Sequence, residues 1–171
     1  MKINRYTTAS PSLKRALAAQ QASKAPREHL GEFKQFDLYV DQFAVCAIDP
    51  DNKVAGVLVL LPIGSSARVS TNVVLQEHVG QGLGSALYEA ALDYHGSLLS
   101  STTMSVGALK AWHKLCIKHL GKVKIPQLGG SQLLNIEGWV DVQGAKVATV
   151  RYKDKVVPVT KIADAYYIIA K

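Results

Sequence analysis

The sequence predicts an α/β fold of the α+β type, with a central, mixed and mostly antiparallel sheet flanked by helices. Three observations lead there. Short runs of strand-forming residues alternate with turn formers from about residue 36 to 76. The last of these runs feeds a glycine-rich turn, Gly80-Gln81-Gly82-Leu83-Gly84. Two amphipathic helices follow that turn. A chain of 171 residues is enough for one core and short for two, so a single domain over residues 1–171 is expected.

Residues 12–24 are rich in Ala, Leu, Lys and Gln and read as a helix, with Ser10 or Ser12 to cap it and Pro26 just beyond its end. Strands are expected near residues 36–40, 43–48, 54–61, 68–76, 97–100 and 164–169. The second and third of these flank Asp49-Pro50-Asp51-Asn52-Lys53, a run of turn formers, and make a hairpin. Its second arm is almost wholly apolar, which places it centrally in the sheet. Starting at Gly84, a helix turns a stripe of Leu83, Leu87, Ala90, Ala91 and Tyr94 to the core. A second, over residues 104–120, turns in Leu109, Trp112, Leu115 or Cys116, and Leu120. Trp112 is expected to be a core residue. Residues 121–161 contain Gly129-Gly130 and a second hairpin around Lys153-Asp154-Lys155, with Pro158 favouring an edge position.

The glycine turn carries the chemistry. Three glycines at alternate positions leave backbone N–H groups uncovered and permit positive φ at little steric cost. A helix opening from such a turn points unpaired N–H groups and its positive dipole end at one spot, which suits a phosphate. A P-loop would need Gly-Lys followed by Ser or Thr, but Gly84-Ser85 has no lysine, and Lys53 and Lys110 are distant in sequence. A dinucleotide fingerprint would need G-x-G-x-x-G and an acidic residue about 20 positions later, and residues 100–104 hold no carboxylate. The plain alternative is a tight strand-to-helix turn with no ligand.

Bulk properties narrow the classes. The chain is 48% hydrophobic and 19% charged, as folded globular proteins are. Its longest apolar run, residues 54–63, falls short of the roughly 18 residues of a membrane span. The first ten residues have no apolar core of a signal peptide. Cys46 and Cys116 form no metal or redox motif, and no metal site is expected. A cytoplasmic protein is the expectation. Net charge is +7, unevenly placed. Residues 1–35 hold seven basic and two acidic side chains, residues 36–109 two and seven, and residues 110–171 eleven and four. Such basic ends attract nucleic acid, an acidic protein or cofactor phosphates. No nucleic-acid-binding motif accompanies them, so solvated lysine-rich faces are expected rather than a nucleic-acid site.

The segment Val79-Gly80-Gln81-Gly82-Leu83-Gly84 resembles the Q/R-x-x-G-x-G/A motif of the GNAT superfamily of acyl-CoA-dependent N-acyltransferases, whose turn binds the pyrophosphate of coenzyme A. Gly82 and Gly84 match its two small positions; Val79 departs from the usual Arg or Gln. Further on, Ser105-x-x-Ala108-x-x-Ala111-Trp112 is similar to the family's N-x-x-A-x-x-Leu-Tyr, with Ser105 at the Asn and Trp112 at the Tyr position. The resemblance covers residues 36–120 and a final strand at 164–169, and leaves residues 121–161 as a divergent hairpin region. The chain is also similar to small acetyltransferase-like proteins of tailed phages. The resemblance implies a GNAT-like fold and a cofactor, acetyl-CoA or another acyl-CoA, held by Val74, Leu75, Val79, Gly80, Gln81, Gly82, Leu83, Gly84, Ser85 and Ser105. Residues 73–76 would bind the pantetheine arm through main chain, as an added strand does.

Direct acyl transfer needs a polarised thioester, a base for the amine and a proton for the departing thiolate. Where many family members place a glutamate before the turn, this chain has Val69, Ser70, Thr71 and Asn72. The candidates for proton transfer are Glu77, His78 and His113. The first two adjoin the turn, with exposed loop residues as the plain alternative; His113 points about 100° from Trp112 on its helix. Two functions follow. One is an acetyl-CoA-dependent N-acetyltransferase acting on an amine of a small molecule or a host protein. The other is a GNAT-like protein with little or no catalysis that binds another protein through its basic ends.

Overall fold

The computed structural model describes residues 1–4, 28–127 and 132–171. The helix expected over residues 12–24 and the pair Gly129-Gly130 lie outside the described residues. The chain divides into two compact units, residues 8–98 and residues 1–7 with 99–171.

In the first unit five strands follow one another as an antiparallel meander: β2 (Glu28–Phe33), β3 (Phe36–Val40), β4 (Ala44–Ile48), β5 (Val54–Ile63) and β6 (Ser66–Val74), with β7 (Ser97–Leu99) beside β6. The hairpin expected around residues 49–53 is β4–β5. Its turn is closed by Asp49, whose Oδ1 accepts from the Lys53 N–H at 2.8 Å, and by Asn52 at φ 59°. The apolar arm β5 is central, as expected, paired on both sides by β4 and β6. One face carries Ala44, Cys46 and Val57, all fully buried. Helix α1 (Leu83–His95) packs on the other. The close approach there requires Gly56: a Cβ at that position would stand 3.2 Å from Leu87 Cδ1 and 3.2 Å from the Val73 carbonyl oxygen.

In the second unit β1 (Lys2–Asn4) runs parallel to β8 (Thr103–Ser105). Helix α2 (Val106–Lys118) follows β8 directly. Strands β9 (Val123–Pro126), β10 (Leu133–Leu134) and β14 (Ile168–Ala170) lie in the order β10-β9-β14. A separate antiparallel sheet joins β11 (Ile136–Val142), β12 (Ala145–Tyr152) and β13 (Lys155–Pro158), and α2 packs against β12. Pro158 lies on β13 opposite Thr149, at the edge where a missing N–H costs no ladder bond. Trp112 is 1% exposed and stacks on Tyr167, with centroids 6.1 Å apart. The Tyr167 hydroxyl accepts from the Ala148 N–H at 3.1 Å, and burial pushes its pKa up.

The fold class is therefore the one expected: α/β, with mixed and mostly antiparallel pairing and helices packed on sheets. Several details differ. Tyr94 and Leu120 face solvent rather than core, at 44% and 51% exposure. Tyr94 lies in the last turn of α1, where its ring meets His95 edge-on. Leu120 has passed the end of α2, so helical periodicity no longer sets its direction. Met104 belongs to β8 and not to the second helix, because Ser105 caps that helix. The strand expected to reach residue 76 stops at Val74, and Gln76–His78 form a 3-10 turn. The final strand begins at Ile168, not 164. The expected second hairpin is the outer part of the three-stranded β11-β12-β13 sheet.

Two stability predictions follow from these cores. Trp112→Ala removes a fully buried ring and its stacking on Tyr167, and should cost about 3–5 kcal/mol in urea denaturation. His95, in the last turn of α1, has its pKa lowered, chiefly by burial, with Asp41 acting weakly the other way. Above its ordinary 6.5 the ring is neutral in both folded and unfolded chains. Below that value the unfolded chain takes up the proton first, and the fold loses stability as pH falls. Denaturation of wild type and His95→Gln at pH 7.5 and 5.5 should show the wild type losing more stability than the variant.

Candidate functional site

The site is the junction between β6 and α1, wholly within the first unit. Strand β6 pairs with β5 along its length, and Ser70 is an extra residue in the ladder between the pairs Val59–Thr71 and Leu60–Val69. The Leu75 N–H still reaches the Ala55 carbonyl at 2.9 Å, one residue past the strand. On its other side β6 adjoins β7, and a three-residue strand can pair with only part of a nine-residue one. The chain then makes the 3-10 turn, and two glycines reverse it: Gly80 at φ 88° and Gly82 at φ 85°, ψ 0°.

Gly82 is the N-cap of α1. Its carbonyl accepts from the Ser85 and Ala86 N–H groups, both at 3.1 Å. The N–H groups of Leu83 and Gly84, in the first turn, have no acceptor within the helix. No acidic residue occupies that turn, and the cap has no side chain to bond there. The positive end of the helix is thus left to whatever lies in front of it. The two motif glycines differ in what they require. A Cβ on Gly82 would have room, 3.6 Å from Phe33 Cζ, so its requirement is the positive φ. Gly84 has no positive φ, and a Cβ there would sit 3.5 Å from Asn72 Nδ2 and 3.6 Å from Val74 Cγ2, in ordinary contact. An alanine fits at position 84.

Three side chains hold the turn. Asn72 of β6 donates through Nδ2 to the Gly84 carbonyl at 3.0 Å, tying the strand to the first turn of the helix. His78 reaches Asp49 Oδ2 at 3.7 Å, with both side chains 13% exposed, and meets the Phe36 ring edge-on. Lys34, in the β2–β3 turn, donates from Nζ to the Gln81 carbonyl at 2.6 Å. Sequence distance hid this lysine: it lies 47 residues from Gln81, and only the strand order shows that it arrives there. No local signal marks it in the sequence, since a two-residue hairpin turn between Phe33 and Phe36 ordinarily takes Asn, Asp or Gly, and Lys34 adopts φ 56° there.

The structure brings together Val74, Leu75, Glu77, His78, Val79, Gly80, Gln81, Gly82, Leu83, Gly84 and Ser85. Among them Glu77 is exposed on the 3-10 turn, Val79 is 56% exposed, and the His78 ring is turned beneath the loop. Ser105 and His113 belong to the second unit. Ser105 is the N-cap of α2, its Oγ accepting from the Ala108 N–H at 2.9 Å. His113 packs edge-on against Trp139 at 4.5 Å, and burial together with Lys146 lowers its pKa. Cys116 is buried and its thiol pKa is pushed up, the opposite of an activated nucleophile. Among the described residues no three His, Cys, Asp or Glu side chains gather as metal ligands, and no helix is long and apolar enough to cross a membrane.

Comparison with known proteins bears on this junction. Residues 11–113, more than half of the chain, match the model of the acetyltransferase (GNAT) family. Similar solved structures include an IAA acetyltransferase from Bacillus cereus, with 14% identity and TM-score 0.40 over 95% of this chain and 93% of that one. Another is a Bacillus subtilis acetyltransferase in complex with CoA, with 12% identity and TM-score 0.39 over 81% and 79%. A nourseothricin acetyltransferase shows 17% identity and TM-score 0.39 over 79% of this chain; this chain spans only 64% of its length. No curated protein sequence matches. The family match covers β2 to β7, the whole glycine turn and α1, and extends into α2: the chain belongs to the acetyltransferase (GNAT) family.

Proposed function

We propose that the chain is an acetyl-CoA-dependent N-acetyltransferase acting on an amine of a small molecule or of a protein. The observation that carries this is the junction at Gly82, a glycine-capped helix N-terminus with bare main-chain donors and no acidic side chain in its first turn. Family membership makes acyl-CoA the class of ligand to test against it, and the residues fit. The N–H groups of Leu83 and Gly84 suit the pyrophosphate, and the edge of β6 near residues 73–76 suits an extended pantetheine arm. Bound acetyl-CoA would supply an activated acyl thioester.

In such a transfer the amine nitrogen bonds to the acyl carbon, the C–S bond breaks, the amine loses a proton and the sulfur gains one. Of the three candidates for the proton, Glu77 is the exposed carboxylate beside the turn, open to an incoming amine or a water. His78 already contacts Asp49 and Phe36, and His113 packs on Trp139, which suits both to holding structure. This reading places the protein in the cytoplasm, with an amine-bearing substrate or host protein as its partner.

Acetyl-CoA should raise the melting temperature of the wild type, because a ligand at about 100 times its dissociation constant adds about 2.7 kcal/mol. Gly84→Asp should abolish the shift by adding a negative charge to the first turn of α1, where an anion is to bind, and Gly84→Ala should keep it. Gly82→Asp should also abolish it, with circular dichroism to confirm that the strained variant folds. Thiol release with a panel of amines then tests transfer. A wild type that ignores millimolar acetyl-CoA would overturn the proposal.

A further inference from the structure

Lys34 occupies a position that local structure alone would not give to a lysine. The β2–β3 turn is two residues long, and Lys34 adopts φ 56°, a left-handed conformation that a side chain with a Cβ resists. The side chain leaves this turn and ends on the Gln81 carbonyl, at 2.6 Å. On the way its ammonium passes 5.4 Å from the centroid of the Phe33 ring, and Phe33 Cζ is itself the atom nearest to where a Gly82 Cβ would be. The turn therefore delivers an aromatic ring to one glycine of the loop and a positive charge to the residue between the two glycines.

A carbonyl in that place is an electrostatic problem for an anion site. Gln81 lies between two residues of positive φ and directly precedes the N-cap of α1, so its carbonyl sets a partial negative charge one residue from the helix start. The lysine ammonium neutralises it. An ammonium has three N–H bonds, one of which goes to Gln81; Lys34 is exposed, and among the described residues no second acceptor takes the other two. A charge-assisted bond to a phosphate oxygen is the strongest use for them.

We propose that Lys34 is the phosphate-binding cation of the glycine turn, holding the Gln81 carbonyl with one N–H and a phosphate oxygen of the coenzyme with another. The assignment rests on the acyl-CoA reading above and adds to it a residue outside the motif. Coenzyme A offers two phosphate sources, the pyrophosphate and the ribose 3′-phosphate, and dephospho-CoA, which lacks the latter, separates them.

Calorimetric titration of CoA and dephospho-CoA into wild type, Lys34→Met and Lys34→Arg at two salt concentrations tests the assignment. Lys34→Met should weaken CoA binding about tenfold, the worth of one partly exposed charge-assisted bond. It should also flatten the salt dependence, and Lys34→Arg should restore most of both. An equal loss with dephospho-CoA identifies the pyrophosphate as the partner, and no loss with dephospho-CoA identifies the 3′-phosphate. Lys34→Met binding CoA within twofold of wild type would overturn the assignment. So would a weakened variant with unchanged salt dependence, since Lys34 would then only brace the loop. A wild type that binds neither compound would overturn the acyl-CoA reading itself.

Discussion

The left-handed backbone at Gly82 is the constraint on which the rest of the site depends. It takes the chain from the 3-10 turn after β6 into α1 with no intervening capping side chain. A residue with a Cβ would resist that conformation by about 1–2 kcal/mol. The consequence runs in two directions. Beyond Gly82 the helix sets Leu83 and Leu87 over Gly56, where a Cβ would stand 3.4 Å from Leu83 Cδ2 and 3.2 Å from Leu87 Cδ1. In front of it the first-turn N–H groups have no acceptor within the helix. The packing of the first unit and the start of α1 thus depend on a single torsion, and changing it would disturb both.

A loop with two positive-φ glycines would be mobile without support, and support comes from the tips of two hairpins. Lys34 of the β2–β3 turn holds the Gln81 carbonyl, and Asp49 of the β4–β5 turn faces His78 beneath it. Asp49 is itself fixed by the Lys53 N–H, so the contact to His78 starts from a closed turn and not from a free side chain. Ordering a loop before its ligand arrives lowers the entropy cost of binding. The meander therefore does more than build a core: its alternate turns come to the same end of the sheet as the glycine turn.

Much of this was legible in the sequence, for physical reasons that can be named. The apolar run of β5 needs cover on both faces, so its central place could be read directly. The run of residues 49–53 is turn chemistry and closed as a turn. Ser105 stood out at a motif position, and the structure shows it capping α2, a role that any Ser before a helical run is suited to. What escaped was set by contacts between residues remote in sequence. β1, β8 and β10 are two or three residues long, too short for any periodicity to show. β2, Glu-His-Leu-Gly-Glu-Phe, is mostly polar, because it lies at the end of the meander and needs to bury little. Tyr94 and Leu120 sit where a helix ends, and a stripe projected past that point no longer names a face. Lys34 was invisible as a site residue because nothing local ties it to a motif 47 positions away.

The departure of Val79 from the motif fits the same physics. Polar side chains around the turn brace the fold: Asn72 bonds the Gly84 carbonyl, His78 meets Asp49 and Phe36, and Lys34 bonds the Gln81 carbonyl. What the glycine motif itself offers a ligand is main-chain N–H groups, which every residue except proline has. A side chain at position 79 can add to such a site, yet it does not create the donors, and Val79 itself stands 56% exposed. Positive charge, which an Arg at that position would bring from within the motif, here comes from the neighbouring hairpin through Lys34. The turn keeps its geometry through its glycines and takes its charge from elsewhere in the fold.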